Sequence, residues 1–173
     1  MRPSGRKPTG KAANPISIVV EEPTWRVDGL LALIRRAAKR ALGEASAKAN
    51  LTILLTGDQT LRRLNRDFRG KDKPTNVLSF PAPQNPETQN PEIQNPEAYL
   101  GDIAIAHGVA AAEAKAAGRS LADHAAHLAV HGVLHLLGYD HEQDDEAEVM
   151  ERLETHILAK LGIADPYAVR EAA

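Results

Sequence analysis

Residues 131–141 read His-Gly-Val-Leu-His-Leu-Leu-Gly-Tyr-Asp-His, and this stretch restricts the possible folds more than any other part of the chain. Apolar residues recur at helical spacing through 120–137, so His131 and His135, at i and i+4, share one helix face. Gly138 can take the left-handed conformation that ends a helix, which lets the chain turn back. His141 then approaches from a different direction. Any fold the chain adopts must therefore gather three imidazoles at a helix end. Their nitrogens can converge on a shared point about 2 Å from each, as Zn²⁺ requires, with a fourth tetrahedral position open for water. A histidine pair at i, i+4 is more often a surface accident or a satisfied core pair. The third histidine, just past a helix-ending glycine, shifts the balance to a catalytic metal site. The expected cofactor is one Zn²⁺ per chain, with His131, His135 and His141 as ligands.

The chain has no cysteine. A thiolate site and a disulfide partner are thereby excluded, which leaves imidazoles and carboxylates for a transition metal. Long zinc-protease motifs share the 1, 5, 8, 11 spacing of His, His, Gly, His. They carry Glu as general base at the second position, where this chain has Gly132. A peptidase would need a replacement for it. Zinc can lower the pKa of a bound water to about 7, so hydroxide is available without that carboxylate. Phosphodiester cleavage also needs cations where charge gathers on the phosphate oxygens. Residues 62–73 supply Arg62, Arg63, Arg66, Arg69, Lys71 and Lys73 against Asp67 and Asp72. Arg69 can grip a phosphate through two parallel hydrogen bonds and is the expected catalytic residue, with Lys71 and Lys73 as substrate contacts.

Charge is uneven elsewhere too. Residues 1–11 hold Arg2, Arg6, Lys7 and Lys11 and no acid, whereas residues 140–156 hold eight acids and one Arg. Such asymmetry suits a polyanion at one face, although solvated helix faces would look the same. His124 and His127 lie near the face of His131, as supports, substrate contacts or structural groups. His107 and His156 show no partner in the sequence. Asp102 and Asp140 are candidates to orient a ligating imidazole; Asp102 could equally cap its strand.

The expected fold class is α+β, a mixed four-stranded sheet packed by about five helices. Strands are read at 16–20, 51–56, up to Phe80, and 99–106. Helices are read at about 27–42, from Asp58 through Leu64, and at 107–117, 120–137 and 143–161. With 43% hydrophobic and only 3% aromatic residues, the core must rest on Leu, Ile, Val and Ala. Gln-Asn-Pro-Glu recurs at 84–87, 89–92 and 94–97, and each Asn-Pro step disfavours helix. The expected organisation is a disordered basic extension at 1–14 and one domain over 15–170, with a mobile loop at 82–98. No apolar run reaches membrane-spanning length and the basic N-terminus lacks a signal-peptide core, so a soluble, intracellular protein with no membrane partner is expected.

Three blocks in order resemble the YbeY family of bacterial endoribonucleases. They are Arg69-Gly70-Lys71-Asp72-Lys73-Pro74-Thr75-Asn76-Val77-Leu78-Ser79-Phe80, then Leu100-Gly101-Asp102-Ile103, then His131 to His141. Asp144-Asp145-Glu146 and Asp165-Pro166-Tyr167 add to the likeness, which covers roughly 15–170. The resemblance implies a single-strand-specific metallo-endoribonuclease in the cytoplasm, acting in 3′-end maturation of small-subunit ribosomal RNA and in ribosome quality control. Its partners would be ribosomal RNA and the ribosome or its proteins. It also implies zinc on the three histidines and a functional arginine at Arg69. The Gln-Asn-Pro-Glu repeats and the basic tail depart from the family pattern. Two rivals stay open: a metallopeptidase with an unconventional base, and an assembly factor whose metal only locks the helix end.

Overall fold

Ile16, Ile18 and Val20 alternate with Ser17 and Val19, and this period of two builds strand β1 (Ile16–Val20). The computed structural model describes residues 15–45, 48–83 and 98–168. The expected extension at 1–14 lies outside the described residues, and so does the repeat segment 84–97 of the expected loop. After β1 come α1 (Leu30–Glu44), β2 (Ala49–Thr56), α2 (Asp58–Arg69), β3 (Val77–Pro81) and β4 (Ala98–Ala106). Then follow α3 (His107–Ala116), α4 (Leu121–Leu136) and α5 (Asp144–Lys160).

The four strands form one mixed sheet in the order β1-β2-β4-β3. β1, β2 and β4 run parallel, and β3 lies antiparallel to β4 at the edge. Pro81 closes β3 on that edge, where a missing N–H costs least. The α+β expectation thus holds in strand number, helix number and mixed character.

Alternation along β2 and β4 divides the packing. Leu51, Ile53, Leu55, Ile103 and Ile105 face the main core. There they meet Ile34, Ala37 and Ala41 of α1 and Ala126, Ala129, Val130 and Val133 of α4. Ala104 and Ala106 face the other way, against Leu61 of α2 and Leu78 of β3. α5 then packs outside α1 and α4. The small side chains let the helices lie close, which a core poor in aromatics requires.

That closeness fixes the residue after His131. A Cβ on Gly132 would stand 2.9 Å from Ile103 Cγ2 of β4. The Ser79 hydroxyl of β3 also donates to the Gly132 carbonyl at 3.1 Å. Position 132 therefore faces the sheet, and the missing protease glutamate would have had no room there.

Some boundaries differ from the sequence expectation. α1 begins at Leu30 rather than near Val27, after Gly29 in a left-handed conformation. β2 starts at Ala49 rather than Leu51. α2 runs past Leu64 to Arg69, because Asn65 is buried and its side-chain amide donates to the Lys73 carbonyl at 2.9 Å. Arg69 is thus the last residue of a helix rather than the start of a turn. A 3-10 turn at Pro23–Trp25 was not anticipated; it buries Trp25, whose indole N–H donates to the Thr56 carbonyl at 2.9 Å. No described helix is long and apolar enough to cross a membrane.

Candidate metal centre and phosphate cleft

α4 ends as its sequence predicts. Gly138 has φ 98°, and the Tyr139 N–H turns back to the Leu134 carbonyl at 3.0 Å. The Asp140 carboxylate then accepts the His141 backbone N–H at 2.7 Å. His141 thereby comes back over the helix end. One ring nitrogen from each of His131, His135 and His141 lies within 4.8 Å of the other two.

Behind these rings is a group the sequence analysis missed. Glu154 of α5 is fully buried. One of its carboxylate oxygens accepts from His131 Nδ1 at 2.5 Å, and the other from His127 Nε2 at 2.8 Å. The Tyr167 hydroxyl donates to that second oxygen as well. Burial alone would raise the Glu154 pKa, but the hydrogen bonds from His127 and His131 hold it down at about 2. Burial, followed by the hydrogen bond to Glu154, pushes the Tyr167 phenol up, so it stays a donor. An ionised carboxylate can only accept. The His131 proton therefore sits on Nδ1, and the Nε2 lone pair is left facing the cleft.

This wall fits a metal ion. His131 Nε2 and His135 Nε2 are 3.0 Å apart, close to the edge of about 3.3 Å for a zinc–nitrogen tetrahedron. Burial, with His131 and His141 nearby, depresses the His135 pKa to about 4. Its imidazole is neutral at pH 7, as a ligand must be. The carboxylate behind a ligating histidine is also the usual device for fixing tautomer and ring orientation.

Another part of the cleft wall is basic. His131, His135 and His141 line a cleft of about 680 Å³ together with Arg69, Lys71 and Lys73, and Ser79 also lines it. Arg62 is paired with Asp72 at 2.8 Å and Arg66 with Asp67 at 3.0 Å. Among the described residues Arg69, Lys71 and Lys73 have no such carboxylate partner, so their charge remains available. The loop carrying the lysines is pinned at both ends. Asn65 holds the Lys73 carbonyl, while Asn76 donates to Glu113 of α3 at 3.0 Å and accepts from the Val77 N–H at 2.7 Å.

The remaining candidates fall into place. His124 hydrogen-bonds Glu113 at 3.2 Å, so it supports the lysine loop rather than the metal. His107 packs edge-on against Trp25 at 4.9 Å, and His156 pairs with Glu44 at 3.5 Å. Both have partners that the sequence did not reveal. Asp140 orients the backbone of His141, and Asp102 bonds the Tyr99 hydroxyl. Neither carboxylate takes the expected place beside an imidazole; Glu154 does. A signal for it was present, because Met150, Glu154, Ile157 and Leu158 make one buried stripe along α5. An acid on that stripe must have buried donors.

The sequence profile described as Endoribonuclease YbeY matches residues 20–162. This chain belongs to the YbeY endoribonuclease family. Among its relatives is the Endoribonuclease YbeY of Nitrobacter winogradskyi, 49% identical, with 93% of this chain and 86% of that protein covered. The Azorhizobium caulinodans protein of the same name is also 49% identical, with coverage of 89% and 96%. That of Maricaulis maris is 45% identical, with 89% and 92% covered. A solution structure of a Thermotoga maritima protein shares the fold, with TM-score 0.53 and 22% identity over 89% of this chain and 99% of that one. The YbeY match takes in all three sequence blocks and both cleft walls.

Proposed function

We propose that this chain is a zinc-dependent endoribonuclease that cuts single-stranded RNA. It acts in the cytoplasm on ribosomal RNA, in 3′-end maturation of the small-subunit RNA and in ribosome quality control, in contact with the ribosome or its proteins. His131, His135 and His141 hold the metal, Arg69 is the catalytic arginine, and Lys71 and Lys73 bind the substrate backbone. The observation that carries this reading is the cleft itself, lined both by three converging imidazoles and by three cations that have no carboxylate partner among the described residues. Membership of the YbeY family supports it independently.

Each residue has a definable task. Glu154 keeps the His131 proton on Nδ1, and Tyr167 keeps Glu154 in place. Arg69 meets a phosphate oxygen pair with two parallel N–H groups and stabilises charge as it builds there. Lys71 and Lys73 hold flanking phosphates as point charges. When bound, the metal supplies Lewis-acid chemistry, acidifying water and drawing charge from a phosphoryl oxygen. The side-chain direction at Gly132, into Ile103, counts against the peptidase alternative.

The test is cleavage of a labelled single-stranded RNA by zinc-loaded protein beside His131→Ala and Arg69→Ala preparations. Activity should vanish in the first variant and fall about 10- to 100-fold in the second, the range for a hydrogen bond to a charged group. Equal activity in all three would expose a contaminating ribonuclease. No activity in a protein shown to hold zinc would favour the assembly-factor role.

A further inference from the structure

The chain has two phenylalanines, and the fold puts them side by side. The rings of Phe68 and Phe80 are 5.2 Å apart between centroids, at 64°. Phe80 is partly buried on the cluster of Leu61, Leu78, Ala104 and Ala106. Phe68 is 68% exposed, the highest value among the exposed large hydrophobic residues described. A lone apolar side chain on a surface needs no explanation. The location of this one does. Arg69 and Pro81, the chain neighbours of Phe68 and Phe80, both line the cleft, as does Asn65 about one turn earlier on α2. Neither ring lines the cleft itself: Phe80 points to the α2 side of the sheet and supports Phe68 there, next to the cleft edge at Arg69 and Pro81.

We propose that Phe68, backed by Phe80, is a stacking subsite for an unpaired nucleobase of an RNA strand whose backbone lies in the cleft. The proposal rests on the endoribonuclease reading and names how the strand is recognised. A single strand gripped by its phosphates directs its bases outward, and every base has a π-face to offer an exposed ring. In a duplex that face is already stacked, so the ring would select single strands without reading sequence. Continuity with the basic wall favours RNA over an apolar protein partner, which would have to bury Arg69 and Lys71 beside the ring.

The test uses the full chain treated with chelator, so that RNA binds without turnover. The probe is a short single-stranded RNA carrying 2-aminopurine, whose fluorescence falls on stacking. Wild type should quench it. Phe68→Ala should lose the quenching and weaken affinity about 5- to 150-fold. Phe68→Leu, apolar but without a π-face, should behave like Phe68→Ala, whereas Phe68→Trp should restore both readouts. Unchanged affinity in Phe68→Ala, or full quenching by Phe68→Leu, overturns the subsite. A wild type that quenches through Phe68 yet cuts nothing when zinc-loaded upholds the subsite and overturns the nuclease reading. A wild type that cuts, beside a Phe68→Ala with unchanged affinity and KM, overturns the subsite alone.

Discussion

The two walls of the cleft are built on opposite principles. The metal wall rests on a carboxylate with no exposure, satisfied by His127, His131 and Tyr167. The basic wall is three exposed cations on a helix end and a loop, held by hydrogen bonds of Asn65 and Asn76 and by the exposed Arg62–Asp72 pair. Removing a charge from water is expensive, and Glu154 stays ionised because three donors meet it. Exposed Arg69 and Lys71 face no such cost, and they give up precision for it. Imidazoles that must converge to within tenths of an ångström need the buried frame. Cations that catch a flexible polyanion do not.

Four substitutions can break or sharpen this contrast. Gly132→Glu would put a carboxylate against Ile103, and should cost about 3 kcal/mol or more, read as a lowered urea midpoint. If the variant folds with wild-type stability, α4 does not lie on the sheet as described. Glu154→Gln should weaken zinc binding about 10- to 100-fold in chelator competition. It should also change acid sensitivity. The folded carboxyl titrates at about 2 against an ordinary 4.5, so its stabilisation is complete above pH 4.5 and is lost as pH falls towards 2. Wild type should therefore lose stability more steeply across that window than Glu154→Gln.

On the basic wall the effects should spare the fold. Arg69→Lys keeps the charge and loses the fork, so kcat/KM should drop about tenfold. Its melting temperature should hold, because an exposed substitution shifts stability by about 0.5 kcal/mol at most. A large loss of stability would mean that Arg69 is part of the frame. Lys73→Ala should raise KM a few-fold and lower the slope of log affinity against log salt by about 0.7, the share of one phosphate contact to a single strand. A slope unchanged in salt titration would remove Lys73 from the substrate path.

How legible each wall was follows from the same contrast. His131, His135 and His141 lie within one helix and its return, so helical periodicity and one glycine placed them. The strands and helices were legible from alternation and period, because the core faces of β2, β4, α1 and α4 are almost purely aliphatic. The order β1-β2-β4-β3 was not, since local pattern says nothing about which parallel strand pairs with which. The presence of Arg69 and His131 in one cleft is also long-range: chemistry and family likeness suggested it, and the packing of β3 against α4 goes with it. Glu154 was hidden among the acids of 140–156, where composition resembles a solvated helix face. Its position on the stripe of Met150 and Ile157 was the readable clue.

The reach of Tyr167 back to Glu154 also has a meaning in time. A chain is made from its N-terminus. The three imidazoles are therefore synthesised before the carboxylate that sets the His131 proton, and that carboxylate before the phenol that steadies it. Until Glu154 has been made, no carboxylate among the described residues is there to hold the His131 proton on Nδ1. The metal wall therefore cannot be complete before the chain has been made as far as Tyr167.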